Sequence, residues 1–146
     1  MPGFKKILVA VDFSEQSRLA MRFAHEFAQK LEGDIILILY VLKNPSGIYA
    51  LSSPVMFNLE AKEVEEARKR LIEFVNSLNI RLDADRFRVT IGYPAETIVN
   101  EAKAISAELI IVGSRGKGLN FAVGSTAAKV IRHASCPVVT IKEPVA

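Results

Sequence analysis

The chain has 146 residues, half of them apolar, with 19 basic and 16 acidic side chains and a formal net charge of +3. That size and apolar content suit one packed domain, residues 1–146, and exclude a disordered or repetitive chain. A single cysteine, Cys136, excludes an internal disulfide, and no apolar run approaches the roughly 20 residues of a membrane span.

Ile7-Leu8-Val9-Ala10-Val11 reads as a first strand. Ser14 follows as a helix N-cap, with Glu15 in the first turn. Leu19, Ala20, Phe23, Ala24, Phe27, Ala28 and Leu31 recur at steps of three and four, one face of a first helix that Gly33 ends. Ile35 to Leu42 is a second strand, and residues 43–57 form a longer loop with Pro45, Gly47 and Pro54. Ala61, Val64, Ala67, Leu71, Phe74, Val75 and Leu78 mark a second helix. Arg86 to Ile91 is a third strand, and Pro94 opens a third helix with Ile98, Val99, Ala102 and Ile105 inward. Leu109 to Val112 is a fourth strand, a glycine-rich loop leads to a fourth helix near Ser125–Ala134, and Val138 to Lys142 is a fifth strand.

This βαβαβαβαβ order predicts an α/β domain, a parallel sheet with helices on both faces. Strands one, two and four are apolar throughout, as central strands are. Strand three alternates Phe87, Val89 and Ile91 with Arg86, Arg88 and Thr90, which marks a half-exposed edge, and strand five is short and mixed. The order 3-2-1-4-5 meets these constraints. The alternative 2-1-3-4-5 would leave the apolar second strand on an edge. In the favoured order the chain reverses beside strand one, and ligands bind at such a switch point beyond the strands' carboxyl ends. Val11-Asp12-Phe13-Ser14 and Gly113-Ser114-Arg115-Gly116 meet there.

The second of these segments continues through Lys117, Gly118 and Gly124 to Ser125 and Thr126. Glycines let backbone amides approach an anion, and the free N–H groups opening the fourth helix favour phosphate. Ser125 offers a hydroxyl; Arg115 and Lys117 offer charge. From Leu109 onward there are five basic residues against one acid, Glu143. The competing reading is a plain glycine loop with Ser125 as a helix cap. Two familiar phosphate motifs fail: Leu119-Asn120 replaces the Lys-Ser/Thr of a P-loop, and Phe121 replaces the third glycine of G-x-G-x-x-G.

Together, Ile7-Leu8-Val9-Ala10-Val11-Asp12-Phe13-Ser14, Gly92-Tyr93-Pro94-Ala95-Glu96, Leu109 to Gly116, Gly124-Ser125 and Val130 to Val139 resemble the universal stress protein (UspA-like) family over essentially the whole chain. The resemblance implies the same 3-2-1-4-5 sheet. It also implies the nucleotide signature G-x2-G-x9-G-[ST] of the family's ATP-binding branch, met here by Gly113, Gly116 and Gly124-Ser125. The spacer Lys117 to Val123 has seven residues instead of nine. The resemblance further implies that Ala10, Val11 and Asp12 line an adenosine pocket and that Val41 contacts adenine. The expected cofactor is ATP, with AMP or ADP as variants and Mg or Mn as a companion. A two-fold homodimer through the fifth strand is implied as well.

Other residues keep structural readings. Asp12 serves the first helix's amino end or a ligand equally well. His133 suits a helix carboxyl end, and His25 has no metal-ligand spacing around it. Cys136 before Pro137 reads as a small buried hydrophobe. The apolar stretch 48–57 covers a nucleotide, meets a partner or folds on its own domain. The start Met1-Pro2-Gly3-Phe4-Lys5-Lys6 has no signal-peptide pattern, so a cytoplasmic location is expected, with no membrane or nucleic-acid partner. Three functions follow. The first is an ATP-binding, dimeric stress-response regulator read by protein partners. The second is a nucleotide-free interaction module. The third is an enzyme, a slow ATPase or a nucleotidyl transferase, for which Asp12 is the one nearby acid.

Overall fold

A computed structural model describes residues 4–43, 54–114 and 124–143, with side chains of the second helix from residue 60 onward. The elements run β1 (Lys6–Ala10), α1 (Glu15–Lys30), β2 (Asp34–Leu42), α2 (Pro54–Asn76), β3 (Phe87–Ile91), α3 (Pro94–Ala104), β4 (Leu109–Gly113), α4 (Ser125–His133) and β5 (Val138–Ile141). All strand pairs are parallel, in the order β3-β2-β1-β4-β5. The fully apolar strands are therefore central and the alternating β3 lies at an edge, as the pattern predicts.

Alternate strand residues point to opposite faces, and each face holds its own core. Under α1 and α2, Ile7, Val9, Ile38 and Ile111 pack with Met21, Ala24, Leu71 and Val75. Under α3 and α4, Leu8, Leu39, Ile110 and Val112 pack with Ile98, Ala102, Ala127 and Val130. Burying each large aliphatic side chain contributes about 1.5–3 kcal/mol, so these two clusters hold the layers together. No helix among the described residues is long and apolar enough to cross a membrane.

β2 carries an irregularity that bears on the site. Its register against β1 shifts between Ile7, opposite Ile35, and Leu8, opposite Leu37. Ile36 is the extra residue of a bulge. Strict alternation would place Val41 on the same face as Ile35. The bulge instead sends Leu37, Leu39 and Val41 to the α3/α4 side, while Ile35 stays on the α1/α2 side.

Several local expectations change. The left-handed residue ending α1 is Glu32, at φ 53°, not Gly33. Gly33 closes the helix by donating its N–H to Ala28 O at 2.8 Å. It must be glycine because a Cβ there would lie 2.8 Å from Phe4 O. α2 begins at Pro54, inside the stretch read as loop, since proline suits a first helical turn. The rest of that apolar stretch, 48–53, lies outside the described residues. β3 begins at Phe87 because Ala84–Arg86 forms a 3-10 turn. The Arg86 guanidinium there donates to Asp34 Oδ2 at 2.7 Å and Ile35 O at 3.0 Å. That bond with Asp34 raises the Arg86 pKa.

Candidate functional site

β1 hands over to α1 through a turn built by short polar side chains. Asp12 Oδ1 accepts from the Ser14 N–H at 3.0 Å, and Ser14 Oγ caps α1 by accepting from the Ser17 N–H at 3.1 Å. The buried Ser17 hydroxyl donates to Ser14 O at 3.0 Å and accepts from the Asp12 N–H at 3.3 Å. The turn forces Phe13 to φ 65°, uncommon for a residue with a side chain. Aromatic packing holds it there. Its ring centroid lies 4.6 Å from that of Tyr40 and 5.6 Å from that of Phe74, and the Arg70 guanidinium sits over it at 4.1 Å. Asp12 thus serves the amino end of α1 while lining the cavity described next.

At the carboxyl ends of β1, β2 and β4 lies a cavity of about 360 Å³. β1 and its turn contribute Ala10, Val11, Asp12 and Ser17. β2 contributes Leu39, Tyr40, Val41 and Leu42, followed by Lys43. β4 contributes Val112 and Gly113; α3 adds Pro94 and Ile98; and Gly124, Ser125, Thr126 and Ala127 form the α4 side. Eight of the residues singled out from the sequence therefore converge: Ala10, Val11, Asp12, Val41, Gly113, Gly124, Ser125 and Thr126. Arg115 and Gly116, with Lys117 and Gly118, lie outside the described residues.

The α4 end of the cavity differs in detail from the sequence reading. Gly124, not Ser125, is the N-cap, and no side chain caps it. Ser125 is the first helical residue and is exposed. With glycine at the cap, no N-cap side chain serves the opening amides of α4, and such amides with the helix dipole favour an anion.

Gly113 also owes its identity to something other than a ligand. A Cβ there would lie 2.8 Å from the Gln16 carbonyl carbon, so glycine is what lets α1 approach β4. Ser114, quoted in the motif but assigned no role, is 0 % exposed, and its Oγ has no hydrogen-bond partner among the described residues.

The sequence reading gives no site role to the other lining residues, Ser17, Leu39, Tyr40, Leu42, Lys43, Pro94, Ile98, Val112 and Ala127. Tyr40 to Lys43 had a legible signal, their place at the end of a central strand. Ala127 had a weaker one, one step past the Gly-Ser-Thr that opens α4. Cys136 is half-buried against the α3/α4 core, and burial pushes its thiol above the ordinary 9.0. No group of three or more His, Cys, Asp or Glu residues able to hold a metal occurs among the described residues.

A model of the universal stress protein family matches residues 3–142. The chain belongs to the universal stress protein family. This universal stress protein is 33% identical over 146 residues to universal stress protein A homolog 2 of Coxiella burnetii, covering 97% of each chain. Its fold matches the solved structure of protein MJ0577 of Methanocaldococcus jannaschii with a TM-score of 0.74 at 28% identity, over 98% of this chain and 99% of that one. It also matches a universal stress protein of Archaeoglobus fulgidus solved in complex with dAMP, with a TM-score of 0.61 at 25% identity, over 95% and 98% of the two chains.

Proposed function

We propose that this universal stress protein is a regulatory module that binds an adenine nucleotide, ATP foremost, and acts as a homodimer. The observation that carries the reading is one cavity with two chemically different ends. Ala10, Leu39, Val41 and Ile98 offer an apolar wall for a base, and the amino end of α4, with glycine at its cap, offers amides for phosphates. Asp12 lies between β1 and α1, where a ribose hydroxyl would meet a carboxylate. The dAMP complex of the Archaeoglobus fulgidus relative supports an adenine nucleotide as the ligand class. Asp12 is the one carboxylate among the described lining residues, so Mg or Mn would depend on phosphate oxygens for most of its ligands. Regulation fits better than turnover, because Asp12 Oδ1 already accepts from the Ser14 N–H and no second acid lines the described wall.

Denaturing the purified protein and identifying released nucleotide by mass spectrometry tests the ligand class, and calorimetry with ATP, ADP and AMP ranks them. The decisive variant is Ser125→Glu. A carboxylate in the first turn of α4 favours the helix but repels phosphate. ATP affinity should fall about tenfold or more while stability holds and adenosine binding persists. Absence of heat with all three nucleotides, with and without magnesium, would sink the proposal in favour of a nucleotide-free interaction module. The seven-residue spacer of the glycine loop favours that second reading.

The dimer would form along the free edge of β5. Pro137 O and Ile141 O accept from β4, so by alternation Val138 and Thr140 turn their backbone groups outward. Thr140→Pro removes one outward N–H while sparing the β4 ladder. Sedimentation should show a folded monomer; an unchanged dimer would move the interface elsewhere.

A further inference from the structure

A second concavity lies between α3 and α4, on the outer side of the wall that Pro94 and Thr126 share with the first cavity. Its occupant is independent of the nucleotide reading. The two helices run side by side in the same direction, because each returns from the carboxyl end of one parallel strand to the amino end of the next. Glu96 to Lys103 on α3 and Thr126 to His133 on α4 are each two helical turns, about 10 Å. That length matches about three residues of extended chain.

The chemistry of the groove changes along its length. At the opening end stands Tyr93, the N-cap position of α3, with 79 % of its surface exposed. Pro94 fixes the backbone next to it. Toward the far end, Lys103, Lys129 and His133 face one acid, Glu96. None of the three basic side chains is in an ion pair among the described residues. Glu101, the other acid of α3 nearby in sequence, is engaged with Arg88 of β3 instead. Lys103 lies in the last turn of its helix, where a cation offsets the dipole. Lys129 lies mid-helix, and the dipole does not account for it.

An exposed tyrosine at one end of a groove and, along it, two lysines without ion-pair partners among the described residues make up a recognition surface, where an aromatic anchor supplies buried area and complementary charge selects the partner. We propose that the α3–α4 groove docks an acidic segment of a partner protein, its apolar side chain covering Tyr93 and its carboxylates meeting Lys103 and Lys129. Such a segment would lie extended, since about three extended residues span the groove's length of about 10 Å.

The test uses the full chain, isotope-labelled for NMR, and a short synthetic peptide alternating glutamate and leucine. Peptide-induced shifts should concentrate on Tyr93, Lys103, Lys129 and their neighbours. Joint Lys103→Glu and Lys129→Glu substitution should weaken binding about tenfold or more. The same reversal at Lys62 and Lys69 of α2 should leave it within about twofold. Tyr93→Ala should weaken binding at both low and high salt, since its contribution is apolar. Thermal melts confirm that each surface variant folds. Equal losses from the α2 reversal, shifts spread over other faces, or no saturable binding at millimolar peptide would overturn the proposal. So would a single-stranded oligonucleotide of equal charge that occupies the groove more tightly than the peptide.

Discussion

The two faces of the sheet are packed in different ways. The α1/α2 face is closed by rings. Phe23 stacks on Phe27 at 5.5 Å, Phe4 meets Phe27 edge-on at 6.3 Å, and Phe13, Tyr40 and Phe74 form a chain next to the first strand's end. Guanidinium groups of Arg70 and Arg18 lie over Phe13 and Phe74. The described α3/α4 cluster contains aliphatic, alanine and cysteine side chains and no ring. Its helices are also shorter, 11 and 9 residues against 16 and 23. Small side chains under short helices leave the groove between α3 and α4, and the cavity at the strand ends runs from α3 and α4 across to Ser17 and Tyr40 on the other side. One face thus carries most of the dense packing, and the other borders both open spaces.

Breaking the dense face should cost the most stability and leave binding alone. Leu71, 0 % exposed, anchors α2 in the aromatic-rich core. Leu71→Ala should destabilise by about 2–5 kcal/mol in urea titrations, with nucleotide affinity of the folded protein unchanged in calorimetry. A large loss of affinity would show that the two faces are not separable.

The open face should respond the other way. Ala127 is buried at the cavity wall, where α4 begins. Ala127→Leu places extra methyl groups there, and the overpacking should cost about 1–3 kcal/mol. Nucleotide binding should disappear from calorimetric titrations. Retained affinity would mean that the ligand does not use the space beside α4.

The smallest effect belongs to Cys136, at the margin of the same open face. Burial raises its thiol pKa above 9.0, so the folded state resists forming the thiolate. Its contribution is fully present below the unfolded pKa and is lost as pH rises through the folded one. Urea midpoints should therefore fall slightly above pH 9.0 in the native protein, and less so in Cys136→Ala. The thiol should also alkylate more slowly than a free cysteine at neutral pH. Identical alkaline behaviour of the two proteins would place the thiol in full contact with water.

Much of this arrangement is legible along the chain. Continuous apolar blocks at Ile7–Val11, Ile35–Leu42 and Leu109–Val112 mark strands buried on both faces, and the alternation from Phe87 to Ile91 marks an edge. Those patterns, with the short mixed fifth strand, put strands three and five at the edges, and the order 3-2-1-4-5 meets them. The order in turn identifies the switch point, where Val11, Asp12, Gly113 and Gly124 to Thr126 lie by position, while Ala10 comes from the family resemblance; all of them line the cavity. Ser14 is legible as a cap because its hydroxyl serves the amide three residues on, a purely local bond.

What depends on neighbours distant in sequence is not legible in this way. Gly113 reads as a phosphate-loop glycine; that its missing Cβ is also required by Gln16 of α1 is not legible in the sequence. Nothing in the sequence around Phe13 marks its left-handed backbone, which Tyr40, Phe74 and Arg70 from two other elements hold. Val41 reaches the cavity because one extra residue at Ile36 reverses the parity of β2. Periodicity and local capping chemistry, written in adjacent residues, determined the elements, the edge and central strands and the strand ends where the cavity lies. The facing of single side chains and the close approaches that glycines permit were decided only when separate strands and helices came into contact, since register and close approach are properties of pairs of elements.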